Sequence, residues 1–179
     1  METRRAEMGT KKDKKPTVEE IITKAVIATR LSCTREPKDT FKATEKRLYA
    51  YPLLKAKVED DKEQLEEVRQ YGARNRSKSI TRFMKSGVRL DAEEIKQAVI
   101  IDLTASIAAD QHEIERIEKA LEKIQGGEYT DIIRMKYFEQ KTDEEIADAL
   151  HCAPRTVRTH KSALVGRLSV FLYGAGALA

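Results

Sequence analysis

The 179-residue sequence has only eight glycines and four prolines, few for a chain of this size built from β-strands and the turns that join them. Its two cysteines, Cys33 and Cys152, form no CxxC pair and no disulfide framework, which suits a reducing cytoplasm. No stretch reaches the ~18 consecutive apolar residues of a membrane span. The opening METRRAEMGTKKDKKP lacks the apolar run of a signal peptide. A soluble, cytoplasmic protein without a membrane partner is therefore expected. A P-loop and a GxGxxG are also missing, and His151, Cys152 and His160 have no fourth ligand at zinc-finger spacing. No catalytic residue, metal or cofactor is expected, and the chain is not read as an enzyme.

What is abundant is charge, at 36% of residues against a usual quarter. The net charge of +4 conceals a segregation of signs. Residues 1–16 carry six basic and three acidic side chains, and residues 17–70 eleven of each. Residues 71–90 hold Arg74, Arg76, Lys78, Arg82, Lys85 and Arg89 with no acid. Residues 91–148 are strongly acidic, and every charge after Asp148 is positive. Acid-free basic stretches flanking an acidic one point to a surface for a polyanion, or else to neutralisation of the acidic helix within the molecule.

The apolar spacing predicts helices throughout. Thr17-x-x-Glu20 forms a capping box before Val18, Ile21, Ile22, Ala25 and Val26. From Asp39 to Gln70 two seams follow one another, Phe41-Thr44-Leu48-Tyr51 and Leu54-Val58-Asp61-Leu65-Val68, joined by a register slip and a predicted kink at Pro52. Asp91-x-x-Glu94 opens a third helix with the seam Ile100, Leu103, Ile107, Asp110, Ile114, Ile117, Leu121 and Ile124, which only Asp110 violates. Gly126-Gly127 ends it and offers a hinge. The two long helices can fold back as an antiparallel hairpin; with Tyr71 opposite Leu90, Val58 meets Leu103, Leu54 meets Ile107, Leu48 meets Ile114 and Phe41 meets Leu121. Pairing of the 100–124 seam with its own copy in a homo-oligomer is the alternative. The expected fold is all-α: a disordered basic tail (1–16), a helical hairpin and oligomerisation region (17–125) with a basic loop at 71–90, and a C-terminal helix-turn-helix domain (126–179).

The last of these rests on EEIADALHCAPRTVRTHKSALVGRL. Thr142 caps a helix whose inward face is Ile146, Ala147 and Leu150, and a methyl group at Ala147 suits two helices crossing steeply. His151-Cys152-Ala153 makes the turn, and Pro154 begins the next helix where its missing N–H goes unneeded. Val157, Leu164 and Leu168, continuing to Phe171, face inward. Arg155, Arg158, Thr159 and Ser162 occupy the opposite face, shaped and charged for a DNA major groove. Glycine commonly starts such a turn and serine commonly caps the second helix, where this chain has His151 and Ala153.

The stretch YTDIIRMKYFEQKTDEEIADALHCAPRTVRTHKSAL resembles region 4 of sigma factors, and its TVRTH is similar to LuxR-type output domains. With TFKATEKRLYAYPLLK and the long seam helix upstream, residues 38–173 resemble the ArpU/RinA-like phage transcriptional regulators, small activators of late operons. That resemblance implies promoter binding with host RNA polymerase as a partner. On the residues themselves, Arg155 and Arg158 are candidates for bidentate reading of guanine, and Thr159 and Ser162 for bases or thymine methyls. Thr142, Thr156 and Lys161 are candidates for phosphate contact. Arg74, Arg76, Lys78 and Arg82 form a second basic patch that can grip distant DNA, meet polymerase or remain a solvated loop. The expected function is a sequence-specific, double-stranded-DNA-binding transcriptional regulator. The alternative is a DNA-packaging component such as a small terminase subunit, which also joins a helix-turn-helix to oligomerising helices.

Overall fold

A computed structural model describes residues 17–32, 37–73, 91–127 and 129–178. Among them there is no strand, and the fold is all-α. Six helices follow in order: α1 (Val18–Ser32), α2 (Thr40–Tyr71), α3 (Ala92–Glu122), α4 (Asp131–Ile133), α5 (Asp143–Ala149) and α6 (Pro154–Tyr173). Helix α4 runs directly into a π-helical turn (Arg134–Phe138), and α6 into a 3₁₀ turn (Gly174–Leu178). The long helices α2 and α3 form the antiparallel hairpin, α1 lies along α3, and the helix-turn-helix closes one end.

Local chemistry sets the helix starts. Thr17 and Glu20 exchange backbone-to-side-chain hydrogen bonds at α1, Asp39 accepts from the Lys42 amide at α2, and Asp91 with Glu94 completes the capping box of α3. Each satisfies donors that a helix N-terminus leaves unpaired. Helix α2 passes unbroken through Pro52, although proline removes one intrahelical donor. The predicted change of register does appear there as a change of packing partner. Leu48 belongs to a core at the helix-turn-helix end, Val58, Leu65 and Val68 belong to a core within the hairpin, and Tyr51 packs against both.

The hairpin core contains Val58, Leu65, Val68, Val99, Leu103, Ile107 and Ile114, with Leu54 beside them. The α3 seam is thus covered within the chain by α2. Leu48 and Ile114 fall in different cores, so their expected pairing is not made: Leu48 lies with Ile117 and Ala120 instead. Two acids in the seams, Asp61 and Asp110, prove to be one feature. Lys57 reaches both carboxylates, at 2.7 Å and 2.5 Å. Burial opposes the lysine's charge, but the hydrogen bonds that Lys57 donates to Asp110 and Asp61 outweigh it and raise the Lys57 pKa.

Helix α1 is rotated from the predicted face. Val18, Ile21 and Ile22 are exposed, and the half-buried side is Thr23, Val26, Ile27, Arg30 and Leu31. Arg30 pairs with Asp102 of α3 on this same side.

The helix-turn-helix end has no core of its own. Ile132, Ile133, Tyr137, Ile146, Ala147, Val157, Leu164, Val165, Leu168 and Leu172 share one cluster with Leu48 of α2 and with Ile117, Ala120 and Ile124 of the α3 end. Gly126, at φ +81°, makes the left-handed turn out of α3 that glycine permits, but this shared core bridges the expected hinge. Phe171, predicted to continue the buried side of α6, is 52% exposed, and Leu172 takes the inward position at 5%. A step of four residues from Leu168 keeps pace with the side of α6 that faces both α2 and α3. Polar groups tie the same junction: Arg47 Nε lies 3.0 Å from Glu113, Arg116 Nη1 3.6 Å from it, and the Arg47 guanidinium sits 4.7 Å over the Tyr173 ring. Arg116 also donates to the Leu172 carbonyl.

Because Leu48 is fully buried in this shared core, Leu48→Ala is expected to cost about 2–5 kcal/mol. Hydrogen exchange should show α6 amides losing protection together with those of α2. Unchanged protection in α6 would mean that the two regions unfold independently.

Candidate nucleic-acid interface

The first helix of the motif, α5, starts at a complete capping box. The Thr142 hydroxyl accepts from the Glu145 amide and donates to the Glu145 carboxylate, which also receives the Thr142 N–H. Ile146 and Ala147 are buried at 0% and 2% exposure, and the methyl of Ala147 stands where α5 meets α6. The turn is closed by the Cys152 N–H donating to the Ala147 carbonyl at 2.9 Å. His151 holds φ +51°, a left-handed conformation that costs a non-glycine residue roughly 1–2 kcal/mol. Ala153 caps α6 with no side-chain hydrogen bond, and Pro154 follows at the first helical position.

Helix α6 divides sharply. Val157, Val165 and Leu168 are essentially fully buried and Leu164 nearly so. Arg155, Arg158, Thr159 and Ser162, at relative positions 0, 3, 4 and 7, form one exposed face. Arg155 makes no ion pair among the described residues. Thr159 donates its hydroxyl hydrogen to the Arg155 carbonyl, so it offers outward an acceptor oxygen and a methyl group. An open depression of about 320 Å³, lined by Ala153, Arg155, Thr156, Thr159 and His160, begins this face. His160 itself stacks on Tyr129, with ring centroids 4.3 Å apart, and so packs the interface between helices.

Two candidate phosphate contacts are engaged elsewhere. Glu145 occupies the amide and the hydroxyl hydrogen of Thr142, leaving no free donor there. Lys161 is turned inward: its side chain is 21% exposed and Nζ lies 3.8 Å from Asp143. Thr156 is half-buried at the rim of the depression. The second patch, Arg74, Arg76, Lys78 and Arg82, lies outside the described residues, as does the 1–16 tail.

Spacing alone did not single out Asp143, the first residue of α5. Its carboxylate faces Lys136 Nζ at 2.8 Å, Arg158 Nε at 3.7 Å and Lys161 Nζ at 3.8 Å. The hydrogen bond from Lys136, against the opposing effect of burial and with help from the charges of Lys161 and Arg158, holds its pKa below the usual 3.8. Arg158 stays 62% exposed while touching it. One carboxylate thus answers three cations and leaves this side of the motif net positive.

Among the described residues no group of His, Cys, Asp and Glu can hold a metal ion, and no helix is long and apolar enough to cross a membrane.

The strained turn and the bare cap give a stability prediction. His151→Gly and Ala153→Ser should each stabilise the fold by about 1 kcal/mol in chemical denaturation, and their effects should be measurable singly. A destabilising His151→Gly would show that the imidazole supplies more than the strain removes.

Residues 131–171 match the GerE family, the bacterial regulatory proteins of the luxR family. No curated protein and no solved structure matches the chain. The matched segment runs from the first residue of α4 to Phe171 in α6, and so takes in both helices of the motif and the turn between them. The C-terminal region is therefore similar to a LuxR-type helix-turn-helix DNA-binding domain, of the kind that serves DNA-binding transcriptional regulators.

Proposed function

We propose that the protein is a sequence-specific regulator of transcription that lays α6 in the major groove of double-stranded DNA. The observation that carries this reading is the division of α6: its aliphatic side is buried, and Arg155 and Arg158 project from the opposite side into solvent. A guanidinium fork matches the O6 and N7 acceptors of guanine, and each such pair supplies about 1–3 kcal/mol of discrimination. Thr159 and Ser162 are placed to meet neighbouring bases or a thymine methyl. Thr156 flanks the groove-facing side, where phosphates would pass, while Lys161, turned toward Asp143, has no part in that contact. Thr142, spent on its cap, has no part in the proposal.

The likeness to ArpU/RinA-like phage regulators extends the reading to activation of late genes in a phage or mobile element, with host RNA polymerase as the partner. Residues 126–179 would then be the DNA-binding part, the hairpin the part that organises the complex as a homo-oligomer, and the basic tail and the 71–90 segment auxiliary polyanion contacts.

Selection of duplexes from a randomised pool by the purified chain tests the core of this. The wild type should enrich one sequence, and Arg158→Ala should lose about 5-fold or more on that duplex than it loses on a shuffled one. Equal losses on both would make Arg158 a phosphate contact. Log affinity should fall steeply with log salt, at about 0.9 per neutralised phosphate, and a flat dependence would contradict the proposed docking.

A further inference from the structure

We propose that Asp143 is a positioning residue for recognition, holding Arg158 by its Nε so that the terminal fork of the guanidinium points at one base pair. This rests on the groove-reading role of α6 proposed above. Arg158 is a long side chain, and left alone it would sample many rotamers, at a cost in ordering whenever it binds. Asp143 restricts it from a neighbouring helix. The carboxylate sits at the first position of α5, only 16% exposed, and attracts Arg158 at its Nε, 3.7 Å away and so by charge rather than by a hydrogen bond. Those two nitrogens are the donors that match the guanine edge, and no ion pair occupies them among the described residues.

The anchor is itself anchored. Lys136, on the π turn, approaches Asp143 at 2.8 Å and Lys161, one turn beyond Arg158, at 3.8 Å. Both are about four-fifths buried, so the carboxylate is fixed from two sides before Arg158 meets it. A solvated surface pair would lack this support and hold nothing in place. Of the other carboxylates at this end of the molecule, Glu145 caps α5, Glu139 pairs with Arg134 and Lys141 and Asp131 lies nearest Arg134; among the described residues Asp143 is the acid that pairs with Arg158.

A carboxylate beside the duplex repels phosphate, so its presence should reduce affinity for DNA in general. A positioning role makes it improve selectivity at the same time. The two effects have opposite signs, and a merely structural residue would not separate them.

The test uses the full chain, the duplex selected by the wild type and single-base variants of it. Arg158→Ala first marks the base pair that Arg158 reads. Asp143→Asn should then bind shuffled duplex at least as tightly as the wild type but lose about 5-fold or more of the discrimination at that base pair, and Asp143→Glu should restore part of it. In an Arg158→Ala background Asp143→Asn should change that discrimination no further, as required if one residue acts through the other. Lys136→Met, which removes the nearer of the two groups that fix Asp143, should also lose part of that discrimination, and provides a second route should Asp143→Asn fold poorly. Unchanged discrimination in Asp143→Asn, parallel loss on all duplexes, or a further loss on top of Arg158→Ala would each overturn the positioning role, as would sharpened selectivity in Lys136→Met. A wild type that enriches no sequence would instead remove the groove-reading function on which the inference stands.

Discussion

The orientation of α6 depends on one packing constraint: its aliphatic edge is enclosed by the hairpin base as well as by the helix before it. Val157, Leu164, Leu168 and Leu172 share one core with Leu48, Ile117 and Ala120. With burial of each such side chain contributing about 1.5–3 kcal/mol, rotation of α6 about its axis would expose several at once. The arginine face is therefore fixed by hydrophobic burial rather than by any contact the arginines make. Arg47, Glu113 and Arg116 add a directional element at the far end of the helix, where one acid faces two guanidiniums and a tyrosine ring covers one of them.

Electrostatics then acts on a scaffold already set. The acidic character of residues 91–148 looked, in sequence, like a single block. In the fold much of it is locally consumed: Asp102 by Arg30, Asp110 by Lys57, Glu118 by Lys55, Glu113 by Arg47. The arginines of α6 are not drawn into this network, with the one exception of the 3.7 Å approach of Arg158 to Asp143. Segregation of sign along the chain thus becomes separation in space, which is what a polyanion-binding face needs.

The elements legible from the sequence were those governed by a single period or a single local bond. Capping boxes at Thr17, Asp91 and Thr142 appear as read, and so do the seams from Thr44 to Val68 and from Leu103 to Ile124, because an amphipathic helix writes its buried face at a fixed spacing. Four features were not legible, for distinct reasons. The fully buried Tyr137 was not legible because the π turn at Arg134–Phe138 shifts the inward face by one residue from helical spacing. The exposed side of α1 was misassigned because Arg30 finds a partner 72 residues away. Phe171 and Leu172 exchanged places because α6 packs on two helices, whose positions its own spacing does not encode. Asp143 was invisible as a member of the site because its three cations come from two other segments.

The shared core at the base of the hairpin also has a mechanical meaning. With Leu48 and Ile117 locked to α6, the 32-residue α2 is a strut of about 48 Å, longer than one ~34 Å turn of B-form duplex. Whatever is carried at the Tyr71 end is then held at a set reach and a set angle from the exposed face of α6.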